Sequence, residues 1–251
     1  SGNTGSSSGP HLHYEIRNTS NQKPLNPLLF GMEVKDTRRP EIKGLFVYTN
    51  IKNNVDKAVP KKLKLKRIND SVYRANTIRV KGKTGFGINV IDKQDFANNK
   101  NGVHKISTYL NEKLINSINF DGFLFEESIL INTLIDYQYY INNKERILKL
   151  FKTSGNKLSF YKNSNDGLID DIKTNSEFKI KVSDIKNNNI YILINMNNQK
   201  NIIEKKIEEK SNFFYNKIVD DNLEFNYKID NYKINIPKNT FLKNTDLLID
   251  L

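Results

Sequence analysis

His11 and His13 stand at alternate positions in GPHLHYEIR (residues 9–17), and the chain holds only 3 histidines in 251 residues. On an extended backbone, residues i and i+2 point to the same face, about 6.6–6.8 Å apart. Two imidazoles so placed can serve one small site. One binds a metal ion, and the other handles a proton beside it. The run SGNTGSSSG before Pro10 lets backbone approach a substrate cleft closely, because glycine carries no Cβ. Leu12 and Tyr14 are expected on the opposite face, toward a core. Taken alone, two alternate histidines are a weak signal, and a plain surface segment is the commoner case.

Composition narrows the class. Hydrophobic residues make up 37% of the chain, and 12 Tyr with 14 Phe speak for packed structure rather than disorder. The formal net charge of +12 favours anionic partners, but the lysines are dispersed along the whole sequence and form no basic stripe. Nucleic acid is therefore not expected as a partner. There is no cysteine, which removes thiolate nucleophiles, disulfides and Cys-ligated metal. No window of about 18 uncharged apolar residues is present, so no membrane-spanning helix is expected.

The elements that must position the histidines read as β throughout. HLHYEIR (11–17) alternates like a strand, and NTSNQKPLNPLLFG (18–31) reads as a loop with a buried patch at Leu28, Leu29 and Phe30. Residues 33–44 read as a linker pivoting on Pro40. Strand candidates follow at 42–51, 62–68, 76–80, 86–91, 103–110, 113–120, 157–161, 178–185 and 189–196, with Asn, Gly and Asp turns between them. That rhythm is the sequence signature of a β-sandwich. Residues 127–152 alternate less and are expected to hold a turn or two of helix at the end of the sandwich. Residues 201–210 are charged, a short helix or an exposed strand. The tail after 222 is β-like again and stops inside an apparent strand that lacks a partner.

The wider stretch TGSSSGPHLHYEIR (4–17) resembles the closing catalytic motif of the LytM/lysostaphin-like zinc metallopeptidases. The correspondence runs without a gap through Thr4, Gly5, Ser7, Ser8, Gly9, Pro10, His11, Leu12, His13, Tyr14, Glu15 and Ile16. NPLLFG (26–31) is similar to the segment that ends this domain in many members. Segments within 38–200, among them GFGINVIDKQD (85–95), resemble the accessory β-rich region that follows the peptidase domain in Bacteroidetes-type members. The resemblance implies hydrolysis of peptide cross-links in bacterial peptidoglycan, with His13 as a zinc ligand and His11 as the catalytic histidine. It implies peptidoglycan as partner and the bacterial cell envelope, periplasmic or secreted, as location.

It also implies three parts. Residues 1–37 would be the end of the peptidase domain, 38–200 an immunoglobulin-like β-sandwich, and 201–251 the start of a further β module. The family's remaining zinc ligands, spaced H-x-x-x-D, have no counterpart here. The third histidine, His104, has Thr108 four residues on, and is expected to pack or face solvent. The chain is thus expected to be a fragment of such an enzyme, inactive in isolation. The alternative is a non-catalytic envelope scaffold or wall-binding module from a degenerate peptidase.

Other patterns point away from chemistry. Gly82-Lys83-Thr84 lacks the glycine a phosphate-binding loop needs at position 77, which is Thr, so a hairpin turn is expected. Glu126-Glu127 and Asp170-Asp171 read as solvated loop acids. Tyr137, Tyr139 and Tyr140 read as packing aromatics rather than a sugar-stacking surface.

Overall fold

The computed structural model describes residues 9–51, 55, 58–80, 82–162, 165–170, 172, 175–198, 215–219, 223–229, 232–240 and 245–249. Thr4 to Ser8 of the opening motif and the charged run 201–210 lie outside the described residues. The chain is mainly β and divides into two compact units, residues 1–199 and 200–251.

Unit one opens with two short strands, β1 (Ile16–Arg17) and β2 (Pro24–Leu25), paired antiparallel. Then come β3 (Glu41–Ile51), β4 (Lys61–Leu63), β5 (Leu65–Arg67), β6 (Val72–Ala75), β7 (Ile78–Val80) and β8 (Lys83–Ile91). They are followed by β9 (Lys105–Leu110), β10 (Lys113–Asn119), β11 (Leu148–Lys149), β12 (Ser176–Ser183) and β13 (Asn189–Asn198). Two sheets result. The larger runs β10-β9-β12-β13-β6-β5, with β7 also on β13, and the smaller runs β11-β8-β3-β4.

Alternation builds the core between them. In β12, Phe178, Ile180 and Val182 are buried, while Lys179 and Lys181 face outward. In β13, Ile190, Ile192, Ile194 and Met196 are buried in the same rhythm. The small sheet answers with Leu45, Val47, Phe86 and Ile88 in the same cluster. Phe86 stacks on Phe178 across the gap at a 4.3 Å centroid distance. Ring-on-ring packing of this kind adds to the area buried.

The small sheet is buried on its other face too. Phe46, Tyr48 and Ile51 form a second cluster with Ile147 and Phe151. Gly85 and Gly87 make room for it. A Cβ on Gly85 would lie 2.4 Å from Phe151 Cδ1, and one on Gly87 would lie 2.5 Å from Ile147 Cγ2. A 3-10 helix (Phe125–Leu130) and α1 (Ile131–Leu134) set Leu130 and Leu134 against the core between the sheets, whereas α2 (Tyr137–Asn143) sets Tyr139 against this second cluster. The helical expectation for 127–152 therefore holds. Part of the segment, however, covers the outer face of the small sheet rather than only capping an end. Asp136 caps α2 through Tyr139 N and accepts a 2.8 Å hydrogen bond from the Tyr48 hydroxyl. Tyr139 packs edge-on against Phe46, and Tyr137 is largely exposed.

Several local expectations are corrected. Residues 11–17 form a single bridge at His11 and a ladder at Ile16 and Arg17 rather than one continuous strand. The 62–68 run splits into β4 and β5, which belong to different sheets. Residues 157–161 form no strand beyond a single bridge from Tyr161 to Ile118. The turn at Gly82 (φ +63°) is no hairpin, because it carries the chain from β7 in the large sheet to β8 in the small one. Leu29 and Phe30 are 45% and 51% exposed rather than buried. A 3-10 turn, Pro27–Leu29, capped by the Asn26 side chain on Leu28 N, turns them outward.

Unit two carries β14 (Tyr215–Val219), β15 (Phe225–Ile229), β16 (Tyr232–Ile236) and β17 (Thr245–Ile249). β15 and β16 form an antiparallel hairpin. The strand that lacked a partner in the sequence, β17, pairs antiparallel with β14.

Lys149 supplies a pH test of the covering layer. Burial pushes its ammonium down to about 8, against a smaller opposing pull from Asp136. The folded protein therefore binds fewer protons than the unfolded chain between about pH 8 and 10.5, and stability rises with pH across that window. Lys149→Met should stabilise by about 2 kcal/mol at pH 7, and the gain should shrink toward pH 10. Urea denaturation of both proteins at several pH values measures the difference.

Candidate functional site

Three places carry chemistry-bearing side chains. The first is the segment with the two sequence-predicted histidines. Its anchor is at β1 and β2: Asn26 N donates to Asp121 O at 2.8 Å, and Leu25 bridges Gly122. A Cβ on Gly122 would meet Pro24 O at 2.4 Å, so glycine permits that approach. Arg17 lies over the Phe125 ring at 5.0 Å.

Upstream of this anchor, both imidazoles are exposed. His11 Nδ1 lies 3.0 Å from Gly9 O. His13 Nε2 lies 2.9 Å from Glu15 Oε1, and Arg17 Nε donates to Glu15 Oε2 at 2.5 Å. Arg17 first, then His13, holds the Glu15 carboxyl below its usual range. Leu12 and Tyr14, expected toward a core, are 82% and 56% exposed. Among the described residues, neither histidine joins a cluster of three metal-ligating groups. The structure thus places His11 and His13 on one displayed segment and, among the described residues, sets Glu15 beside His13.

The second place is a cleft of about 670 Å³ at one end of the sandwich. Its walls are mainly apolar, from Leu28, Val90, Phe120, Leu134, Ile135 and Leu148, and its polar groups include His104, Arg146 and Asp92. His104 Nε2 pairs with Asp121 Oδ1 at 2.8 Å. A histidine oriented by a carboxylate is the base half of a nucleophilic site. No serine, threonine or lysine lines the cleft among the described residues, so the pair has no such nucleophile to activate. Arg146 sits over the Tyr140 ring at 5.4 Å.

The third place was not legible beforehand. Asp36, Asp92 and Asp184 converge so that one oxygen from each lies within 4.8 Å of the others. All three are buried, at 9%, 5% and 0% exposure. Asp36 comes from the linker, Asp92 directly follows β8, and Asp184 directly follows β12. Asp184 is fully bonded: Oδ1 accepts from Lys186 N and Asn188 N, and Oδ2 from Asn188 Nδ2 at 2.7 Å. The same Asn188 amide reaches Asp36 O at 3.1 Å. Asp36 Oδ2 and Asp92 Oδ1 are buried with no hydrogen-bond partner. Burial first, then repulsion from Asp36 and Asp184, raises Asp92 to about 6. Burial also raises Asp36. The only sequence hint is an aspartate at the close of an alternating strand pattern, in INVID and KIKVSD.

The paired acids at 126–127 also differ from their sequence reading. Glu127 is buried, not solvated. Its carboxylate accepts from Leu124 N at 2.7 Å and from Ser159 N and Oγ at 2.5 and 3.0 Å. It is a staple between the 3-10 helix and the 153–160 loop.

Comparison with family models, with curated proteins and with solved structures finds no match to this chain.

The histidines and Glu127 should separate cleanly by mutation. His11→Ala and His13→Ala should each shift unfolding free energy by less than about 0.5 kcal/mol, as exposed side chains do. Glu127→Ala, which strands three donors, should cost about 2–3 kcal/mol. Chemical denaturation of the three variants measures both.

Proposed function

We propose that this chain is part of a zinc-dependent endopeptidase that hydrolyses peptide cross-links of bacterial peptidoglycan in the cell envelope. In this reading His13 is a zinc ligand and His11 a catalytic histidine. The observation that carries it is the ungapped TGSSSGPHLHYEI correspondence. The exposure of both imidazoles is compatible with it.

Among the described residues, no zinc centre is complete. Tetrahedral zinc takes four ligands, and around His13 only Glu15 stands within reach among the described residues. No reaction step is assigned to this chain alone. In this reading the H-x-x-x-D pair would be supplied by another part of a longer protein. The two-sheet unit would then act as an accessory body beside the peptidase domain. That same lack of ligands favours the second reading, a wall-binding scaffold from a degenerate peptidase.

Zinc titration by calorimetry tests the first reading in two steps. The 251-residue chain should show no tight stoichiometric site. A longer chain from the same gene, extended toward its N-terminus, should bind one zinc tightly and release muropeptides from peptidoglycan. His13→Ala there should abolish zinc binding, and His11→Ala should abolish hydrolysis while zinc is kept. A parent gene without H-x-x-x-D ahead of the motif overturns the peptidase reading and leaves the scaffold.

A further inference from the structure

We propose that Asp36, Asp92 and Asp184 form a binding site for a hard divalent cation of the calcium class, which ties the linker to the ends of one strand from each sheet. The site shares no residue with the histidine segment and stands apart from the peptidase reading.

The geometry begins with convergence. Three carboxylates from positions 36, 92 and 184 offer oxygens within 4.8 Å of one another. That spacing suits oxygens ligating one ion at 2.3–2.6 Å, since two such ligands are separated by at most about twice that distance. The second observation is independent of the clustering. Asp36 Oδ2 and Asp92 Oδ1 are buried, and no donor of the protein reaches either. Buried polar atoms are nearly always bonded, so two orphans in one cluster call for a partner the protein does not supply. Asp184 uses both oxygens on its own turn. Oδ1 is filled by two donors there, but Oδ2 accepts only one and retains a lone pair for an ion.

The surrounding cations are committed elsewhere. Arg38 acts on Asp36 and Asp92 through its charge, but its guanidinium bonds Glu41. Lys93 Nζ pairs with the same Glu41 at 3.0 Å. Arg39 donates to Asn189 O, and Lys35 lies over the Phe96 ring. Asp95, which adds further negative charge, is held by Thr37 N and Oγ1. The donor set is oxygen only, with neither imidazole nor thiolate. Such a set suits calcium or magnesium, whereas zinc favours nitrogen and sulfur. Asp92 also lines the cleft, which gives the ion a route from solvent.

The test uses the full chain stripped with EDTA and then dialysed free of it. Thermal unfolding is followed with about 5 mM CaCl₂, and with NaCl at matched ionic strength. Calcium should raise the midpoint by on the order of 5 °C, as a ligand well above its Kd does. NaCl should not, and EDTA should reverse the rise. Calorimetry should give one calcium per chain.

Asp92→Asn and Asp36→Asn should each lose the calcium shift. Without calcium, Asp92→Asn should unfold no earlier than the parent, which shows that it folds. His13→Ala should keep the full calcium shift. No rise in the wild type, an equal rise with NaCl, a rise that survives in both aspartate variants, or a rise that needs His13 would each overturn the assignment.

Discussion

The face-to-face packing of the two sheets sets everything else in the first unit. Phe86 on Phe178 is its centre, and the alternating residues of β3, β8, β12 and β13 extend it in both directions. Because a strand's side chains alternate with period two, fixing Phe86 and Ile88 inward forces Gly85 and Gly87 outward. Only glycine there lets Phe151 and Ile147 lie directly on the backbone. The layer on the outer face, with Tyr139 of α2, Ile147 and Phe151, is thus a consequence of the same register that fills the core.

That register also fixes where the strands end. β8 belongs to the small sheet and β12 to the large one, and both run into an aspartate at the step after their last strand residue. Once the sheets are face to face, Asp92 and Asp184 have little freedom to separate. The linker completes the cluster because the Asn188 side chain holds the Asp36 backbone. Burial of three acids at one end of the sandwich is therefore a product of core packing, not of any local motif.

This explains which features were legible in the sequence. The long alternating strands 42–51, 178–185 and 189–196 could be read because their pattern is local and strong. The mainly β class followed from them. β6 was missed because VYRA is short, and its place in the sheet depends on a parallel pairing with β13. The 157–161 run has strand composition but finds no ladder, since Leu158 and Phe160 are taken up by the core as loop residues. Leu29 and Phe30 look like core by type, yet a capped 3-10 turn aims them at solvent. The histidine pair was legible because its chemistry sits at i and i+2. The aspartate cluster was not, because its members are separated by 56 and 92 positions and meet only through tertiary structure.

Comparing the buried acids shows what distinguishes a structural carboxylate from one that awaits a partner. Glu127 and Asp92 are buried to a similar extent. For Glu127, burial raises the pKa, but bonds from Leu124 and Ser159 outweigh it, and the group ends below its usual value. For Asp92, burial raises the pKa and the neighbouring carboxylates raise it further, with only the Lys93 backbone and the Arg38 charge opposing. A buried anion is stabilised by donors or by countercharge, and is costly without them. Glu127 has donors enough to be complete within the fold. Asp36 and Asp92 have less, a single backbone N–H each, from Arg38 and Lys93, with the Arg38 charge beyond it, while the Arg38 and Lys93 head groups turn to Glu41 and Arg39 turns to the Asn189 carbonyl. In a chain carrying 40 Lys and Arg, a lysine or arginine set among these carboxylates would close the cluster permanently. In the proposed site a divalent cation supplies that charge instead, and can come and go.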